Sequence, residues 1–255
     1  MTRYALVVHY DGTLFNGWQV QDNGRTVQDE IEKGIRVLTR EYPRLTAAGR
    51  TDAGVHAIGQ VVHFDLEQDI NLRRLCLGLN GILPSDISVR NAYIVDENFH
   101  SRFTALKREY KYLIYSSPLR SPFMLYRALW VSAPLDCEYI KEALKFLEGE
   151  MDFASFCKKS SCGNGTVRKI EYTDVKKEDD LITITICANA FVHNMIRIIV
   201  GTIISMSKEG KAPSYIKDIL LAKDRDCSGF TASPYGLYLN RVFYNPPLDN
   251  YKSAF

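Results

Sequence analysis

The chain has 255 residues and a mass of 29.1 kDa, with 32 Lys and Arg against 30 Asp and Glu and a net charge of +2. A composition 46% hydrophobic and 24% charged is that of a globular protein with a sizeable core, which excludes a disordered or fibrous chain. Residues 1–105 hold 11 basic against 13 acidic side chains and residues 106–255 hold 21 against 17, a balance that neither demands nor excludes a nucleic-acid partner.

Tyr4 to Tyr10 reads as a strand that ends in the turn signal Asp11-Gly12. The F-N-G-W-Q segment from Phe15 to Gln19 reads as a loop whose two large aromatics pack. Thr26-Val27-Gln28-Asp29 has the spacing of a capping box, and Val27, Ile31, Ile35 and Leu38 predict an amphipathic helix over 27–41. Arg36, Arg40 and Arg44 read as a solvated face. Ile58 to Asp65 predicts a strand, 71–80 a short helix with Leu72, Leu75 and Leu79 inward, and Ile87 to Val95 another strand. Further on, Tyr110 to Tyr115 and Tyr126 to Val131 read as strands. Asp136 can cap a helix that carries Ile140, Leu144 and Leu147 and is closed by Gly149. Val167 to Lys176 and Leu181 to Ala188 form a hairpin, an apolar helix follows at 192–208, a short one starts at Ser214, and Leu237 to Tyr244 is a last strand. This order predicts an α+β protein of two halves, 1–105 and 106–255, with mostly antiparallel strands and helices on the outer faces. No Gly- or Pro-rich linker separates the halves, so their sheets are expected to run together at a shared cleft.

Six cysteines (Cys76, Cys137, Cys157, Cys162, Cys187 and Cys227) include no C-x-x-C pair, and no His spacing completes a zinc site. The first twelve residues lack signal-peptide architecture. The expectation is a cytoplasmic protein with reduced thiols, in which the sequon Asn164-Gly165-Thr166 carries no glycan. No metal or cofactor site is expected.

The stretch around which the chain is organised is A-G-R-T-D-A-G-V-H, Ala48 to His56, followed by G-Q-V-V-H-F. Gly49 and Gly54 flank Arg50, Thr51 and Asp52, so an arginine, a hydroxyl and a carboxylate ride on a tight loop before a strand. Such a loop suits chemistry; it equally suits a turn in which Asp52 bonds its own backbone.

A second unusual feature is Arg197, inside the otherwise apolar run Phe191 to Met206. A guanidinium there is costly unless an anion meets it. It pairs with some acidic residue, reaches solvent, or reaches the cleft to meet Asp52 and keep that carboxylate charged. A third feature is L-K-R-E-Y-K-Y-L-I-Y, Leu106 to Tyr115, where basic and aromatic residues interleave. Tyr110 and Tyr112 share a strand face, either as core filler or as a surface for an unstacked nucleotide.

G-R-T-D-A-G-V-H with G-Q-V-V-H-F resembles the signature of the tRNA pseudouridine synthase A family. R-E-Y-K-Y resembles that family's R-Y-x-Y motif, and F-H-S-R-F (Phe99 to Phe103), T-V-R-K-I (Thr166 to Ile170) and S-P-Y-G-L-Y-L (Ser233 to Leu239) resemble further segments. Ser233 replaces the usual alanine and Phe15 a common tyrosine, and the Cys157-to-Gly165 loop resembles nothing in the family. The resemblance implies two ferredoxin-like halves and isomerisation of uridine to pseudouridine in the anticodon stem-loop of tRNA (positions 38, 39 and 40), by a homodimer without cofactor. It implies that Asp52 is the catalytic carboxylate, acting as nucleophile or by abstracting a sugar proton. It also implies that Arg197 pairs with Asp52, that Tyr110 stacks on a flipped uracil and takes part in proton removal, and that Leu237 lines the site wall. It makes Arg50 a candidate to fill the vacated space or hold phosphate, and Arg102 and Arg108 candidate phosphate contacts. Two rivals are a non-catalytic RNA-binding protein and a small-molecule hydrolase using Asp52 with His56 or His63. The first lacks an RNA-recognition-motif strand. The second would place its base on histidines that alternate with apolar residues on a strand.

Overall fold

The computed structural model describes residues 1–161 and 165–255, so Cys162, Asn164 and the reading of the sequon lie outside the described residues. In chain order the elements are β1 (Thr2–Tyr10), α1 (Val27–Thr39), β2 (Thr46–Ala47), β3 (His56–Leu66), α2 (Leu72–Ile82), β4 (Ile87–Ile94), β5 (Lys107–Ser116) and β6 (Leu129–Val131). They continue with α3 (Cys137–Lys145), β7 (Gly149–Asp152), β8 (Val167–Glu178), β9 (Leu181–Ala188), α4 (Met195–Lys208), α5 (Tyr215–Ala222), β10 (Leu237–Phe243) and β11 (Lys252–Ser253). They form two compact units, one of Met1–Arg108 with Tyr238–Phe255 and one of Glu109–Leu237. Each is α+β.

The first unit carries the strand order β11-β4-β1-β3-β10, with β2 beside β3. β1 runs antiparallel to both neighbours, Leu6 lying opposite Val62 on one side and Ala92 on the other. Tyr4, Ala5 and Leu6 are consecutive and fully buried, so both sheet faces are covered at this strand. On β3 the same holds for His63 and Phe64, which point to opposite faces. Phe64 stacks on Tyr4, whereas His63 lies edge-on to Phe99 and accepts a hydrogen bond at Nδ1 from the Ser101 amide (3.1 Å). Residues 238–255 belong to this unit, although the sequence reading assigned them to the C-terminal half. β10 pairs in parallel with β3, and β11 pairs with β4. Pairings at that sequence separation leave no local signal.

α1 starts after Thr26 as the spacing predicts, but the capping box does not form. Thr26 Oγ1 is buried and has no hydrogen-bond partner among the described residues. The first helical amides are taken by main chain instead: Val27 donates to the Gly17 carbonyl (3.3 Å) and Gln28 to the Trp18 carbonyl (3.1 Å). α1 and α2 meet closely. A Cβ on Gly78 would lie 2.7 Å from Leu38 Cδ1, which is why a residue without a side chain stands there.

The second unit has the order β5-β9-β8-β7, with the short β6 parallel to β5. The predicted hairpin is present, with Val175 opposite Ile184, and α4 buries residues on every side. Boundaries of β6 and α3 differ from the sequence reading. The strand expected from Tyr126 begins only at Leu129, because a 3-10 turn occupies Pro122–Met124 and Tyr126 takes φ +58. Gly149 does not close α3, which is capped at Phe146; with φ +108 it opens β7. Among the described residues no helix is long and apolar enough to cross a membrane.

His63 is 7% exposed, and burial, with the charges of His100 and Arg3 assisting and Asp65 opposing, lowers its pKa to about 4. The ordinary value is about 6.5, so between pH 6.5 and 4 the unfolded chain takes up a proton that the folded chain does not, and stability falls as pH falls. Urea unfolding across this window is expected to show a loss of up to about 3 kcal/mol from this group. His63→Gln is expected to flatten the slope without abolishing it, because His9 and His100 are lowered in the same direction.

Candidate active site

The loop bearing Arg50, Thr51 and Asp52 joins β2 to β3 and is fastened from several sides within the first unit. The Thr51 side chain is 7% exposed, and its Oγ1 lies 2.7 Å from the Tyr10 hydroxyl at the end of β1. The Thr51 carbonyl accepts from the Trp18 amide (3.0 Å), and Gly54 N donates to the Phe15 carbonyl (3.3 Å). Gln60 Nε2 donates to the Gly49 carbonyl (2.8 Å), and the Asp52 carbonyl accepts from Val55 N (3.1 Å) to close the turn. Gly17 has φ +90, and a Cβ on it would lie 2.7 Å from the Thr51 carbonyl oxygen. Phe15 and Trp18 are each 2% exposed. The F-N-G-W segment packs, as its aromatics predict, but what it packs against is this loop.

Two polar residues of the loop are not fully covered by this support. Arg50 is exposed and Asp52 half-buried. Arg108 brings a second segment to the root of the loop: its Nη2 donates to the carbonyls of both Ala48 (3.0 Å) and Arg102 (2.6 Å), and its Nη1 to that of Ala105 (3.2 Å). The Arg102 side chain is exposed. Arg50, Asp52, Arg102 and Arg108 are thus gathered in one region of the first unit. His56 and His63 are 1% and 7% exposed, and His56 stacks on Tyr238 at 4.6 Å between centroids.

Tyr110, Arg197 and Leu237 belong to the second unit. α4 begins at Met195 and not at 192, so Arg197 lies in its first turn and not in mid-helix. A cation there opposes the helix dipole, whose positive end is the N-terminus. Its Nε donates to the Ala232 carbonyl (2.7 Å) and its Nη1 to Asn194 Oδ1 (2.9 Å), which aim the guanidinium. Asn194, the cap residue, holds φ +64. Tyr110 is 9% exposed and meets the Phe191 ring edge-on at 5.0 Å. Two residues along β5, the Tyr112 hydroxyl donates to the Ser233 carbonyl (2.7 Å). Burial raises the Tyr112 pKa well above its ordinary value, with the Arg197 charge pulling the other way. Gly236 lies against the Leu113 carbonyl and the Tyr112 ring, and Leu237 follows it, 7% exposed. The second unit therefore assembles Tyr110, Arg197 and Leu237 around Tyr112 and the 232–236 segment. Sequence reasoning did not give Phe191, Tyr10 or Gln60 a role: Tyr10 and Gln60 lie in a predicted strand and in a family segment, but nothing local says that their side chains hold the loop. Among the described residues no group of three or more His, Cys, Asp or Glu side chains could hold a metal ion.

A carboxylate on a pinned loop beside exposed arginines is a place where an enzyme can act on a charged substrate. The comparisons specify it. The family model described as tRNA pseudouridine synthase matches residues 6–104 and 143–245. The tRNA pseudouridine synthase A of Bacillus subtilis (strain 168) is 42% identical over 245 residues, covering 95% of this chain and 99% of the relative. The enzyme of the same name from Leptospira biflexa is 44% identical over 249 residues, covering 96% and 94%. That of Herminiimonas arsenicoxydans is 41% identical over 248 residues, covering 96% and 90%. The chain belongs to the tRNA pseudouridine synthase family, and is an isomerase acting on uridine in tRNA.

Gly17→Ala tests the support of the loop. The combination of positive φ and a 2.7 Å approach to the Thr51 carbonyl is expected to cost about 1–3 kcal/mol in urea unfolding. Isomerase activity measured where the variant is still folded is expected to fall as well, because the backbone on either side of Asp52 shifts.

Proposed function

We propose that this isomerase acts on the anticodon stem-loop of tRNA, at the uridines on its 3′ side, as a cytoplasmic homodimer. Asp52 is the catalytic carboxylate. Tyr110 stacks on the extruded uracil and assists proton removal, Arg197 is the cationic partner of Asp52, and Leu237 lines the wall. Arg50 holds phosphate or fills the space left by the flipped nucleotide, and Arg102 and Arg108 add positive charge at the same edge. What carries this reading is the fastening of Thr51 through its side chain and its carbonyl (2.7 and 3.0 Å), a degree of fixation that a solvent loop does not need and a reacting group does. The resemblance of the G-R-T-D loop, R-E-Y-K-Y and S-P-Y-G-L-Y-L to family segments supports the roles, and the 42% identity to the B. subtilis enzyme supports the substrate.

The reaction needs no co-reactant. The N1–C1′ bond of uridine breaks, a C5–C1′ bond forms, C5 loses a proton and N1 gains one, so substrate and product are isomers. The target base is paired or stacked in a folded stem-loop and must be turned out first, which favours a site with one ring to receive the base and cations to hold the backbone. A single carboxylate suits this chemistry better than hydrolysis of a glycosidic bond, which commonly uses two.

Release of tritium from C5-labelled uridine in tRNA tests the assignment. Wild type is expected to release label; Asp52→Ala is expected to bind tRNA and release none, and full release by that variant removes Asp52 from the chemistry. Arg197→Met is expected to lower label release about 10-fold or more while tRNA binding is retained. Release at the wild-type rate counts against that role.

A further inference from the structure

The turn that follows β4 carries the most exposed aromatic ring of the first unit on some of its most tightly held backbone. Phe103 is 76% exposed. The residues around it are bonded in nearly every direction. The amides of Arg102 and Phe103 both donate to His100 Nδ1 (3.2 and 3.1 Å), and Thr104 N and Oγ1 donate to the His100 carbonyl (3.0 and 2.7 Å). Ser101 Oγ donates to the Thr46 carbonyl (2.7 Å), and the Ser101 carbonyl accepts from the Tyr244 hydroxyl (2.7 Å). The Arg102 carbonyl accepts from Arg108 Nη2, the nitrogen that also holds Ala48, two residues before Arg50 and four before Asp52. The turn and the Asp52 loop are therefore one guanidinium nitrogen apart.

This arrangement fixes the Phe103 ring as well as its backbone. The ring stacks on the His100 imidazole with centroids 4.3 Å apart and planes at 27°, and the Arg102 guanidinium lies 5.6 Å from its centroid. His100 accepts two amides at Nδ1, as a neutral ring does; burial first, and then the charges of Arg3 and Arg102, lower its pKa against a raising hydrogen bond to its own backbone. One face of Phe103 is thus occupied by a fixed ring. A large apolar side chain held out in water contributes little to stability, and holding it rigidly there favours a flat partner.

We propose that Phe103 is a second stacking platform of the enzyme, taking an unpaired nucleobase next to the target uridine while Arg102 meets the adjoining phosphate. This rests on Asp52 being the reactive carboxylate, and extends that reading from the turned-out base to its neighbour. Stacking a neighbouring base on the enzyme holds the RNA backbone open at the target, so Phe103 is a positioning residue. A protein contact is the rival use of an exposed phenyl ring, but a ring backed by imidazole and flanked by an arginine, in a family that acts on tRNA, has the chemistry of base stacking.

The test compares wild type with Phe103→Ala, Phe103→Leu and Phe103→Tyr. The substrates are tRNA and synthetic stem-loops, each stem-loop lacking the base at one position near the target. Phe103→Ala is expected to raise KM about 10-fold or more, the scale of one lost base stack, with a smaller effect on kcat and an unchanged melting temperature. Phe103→Tyr is expected to restore KM, and Phe103→Leu, of similar apolarity but without a π face, is not. At one position, removal of the base is expected to raise KM for wild type and to leave Phe103→Ala unaffected. A Leu variant as good as wild type, an Ala variant with unchanged KM, or no position at which base removal and Phe103→Ala overlap overturns the proposal. A changed sedimentation mass in Phe103→Ala does so too, assigning the ring to contact between copies of the chain. Label release by Asp52→Ala defeats the active-site reading instead, and is scored independently of every Phe103 variant.

Discussion

Segment Phe15–Trp18 is the hinge pin of the first unit. Its carbonyls at Gly17 and Trp18 take the first amides of α1, and its Trp18 amide and Phe15 carbonyl hold Thr51 and Gly54. Four main-chain bonds thereby tie the start of a helix to the loop that bears Asp52. Main-chain bonds of this kind are short, directional and costly to leave unmade in a buried place, so the loop has few alternative conformations. The buried Phe15 and Trp18 rings keep water away from those bonds. Positive φ at Gly17 is the local condition for the arrangement, since any side chain there meets the Thr51 carbonyl.

The second unit solves a different problem, that of keeping a cation at the wrong end of a helix. Arg197 stands in the first turn of α4, where the aligned peptide dipoles disfavour it. The Ala232 carbonyl and Asn194 Oδ1 compensate, and both orient the guanidinium at the same time. The remainder of α4, with Ile198, Ile199, Val200, Ile203 and Ile204 almost wholly buried, anchors that turn so that it does not fray toward solvent. A charge placed against its helix dipole costs stability, and the two hydrogen bonds offset part of that cost.

Arginine also serves as a structural clamp here. Arg108 uses its guanidinium to join the carbonyls of Ala48, Arg102 and Ala105, which fits its planar array of donors better than it would fit a lysine. The family resemblance makes it a candidate phosphate contact and says nothing of this clamp. Its charge contributes to the same edge as Arg50 and Arg102, while its geometry holds the segments that carry them.

The sequence by itself determined most helices and strands, because apolar spacing is local: Val27, Ile31 and Ile35 define α1, and Val167 to Ala188 define a hairpin whose turn is charged. It also marked the G-R-T-D loop, Tyr110 and Arg197 as the residues to examine, since an arginine in an apolar run and a carboxylate between glycines stand out without coordinates. Tertiary structure decided what those signals could not carry. Thr26 looked like a cap, but its hydroxyl bonds no helix amide, and the Gln28 amide within its reach is held by Trp18, a residue adjacent only after folding. β10 and β11 joined the first unit because ladder pairing with β3 and β4 obeys hydrogen-bond register and not chain position. The bonds from Tyr10, Gln60 and Arg108 to the loop connect residues 11 to 60 positions apart. Periodicity reports which face of an element is buried; it is silent on what that face meets.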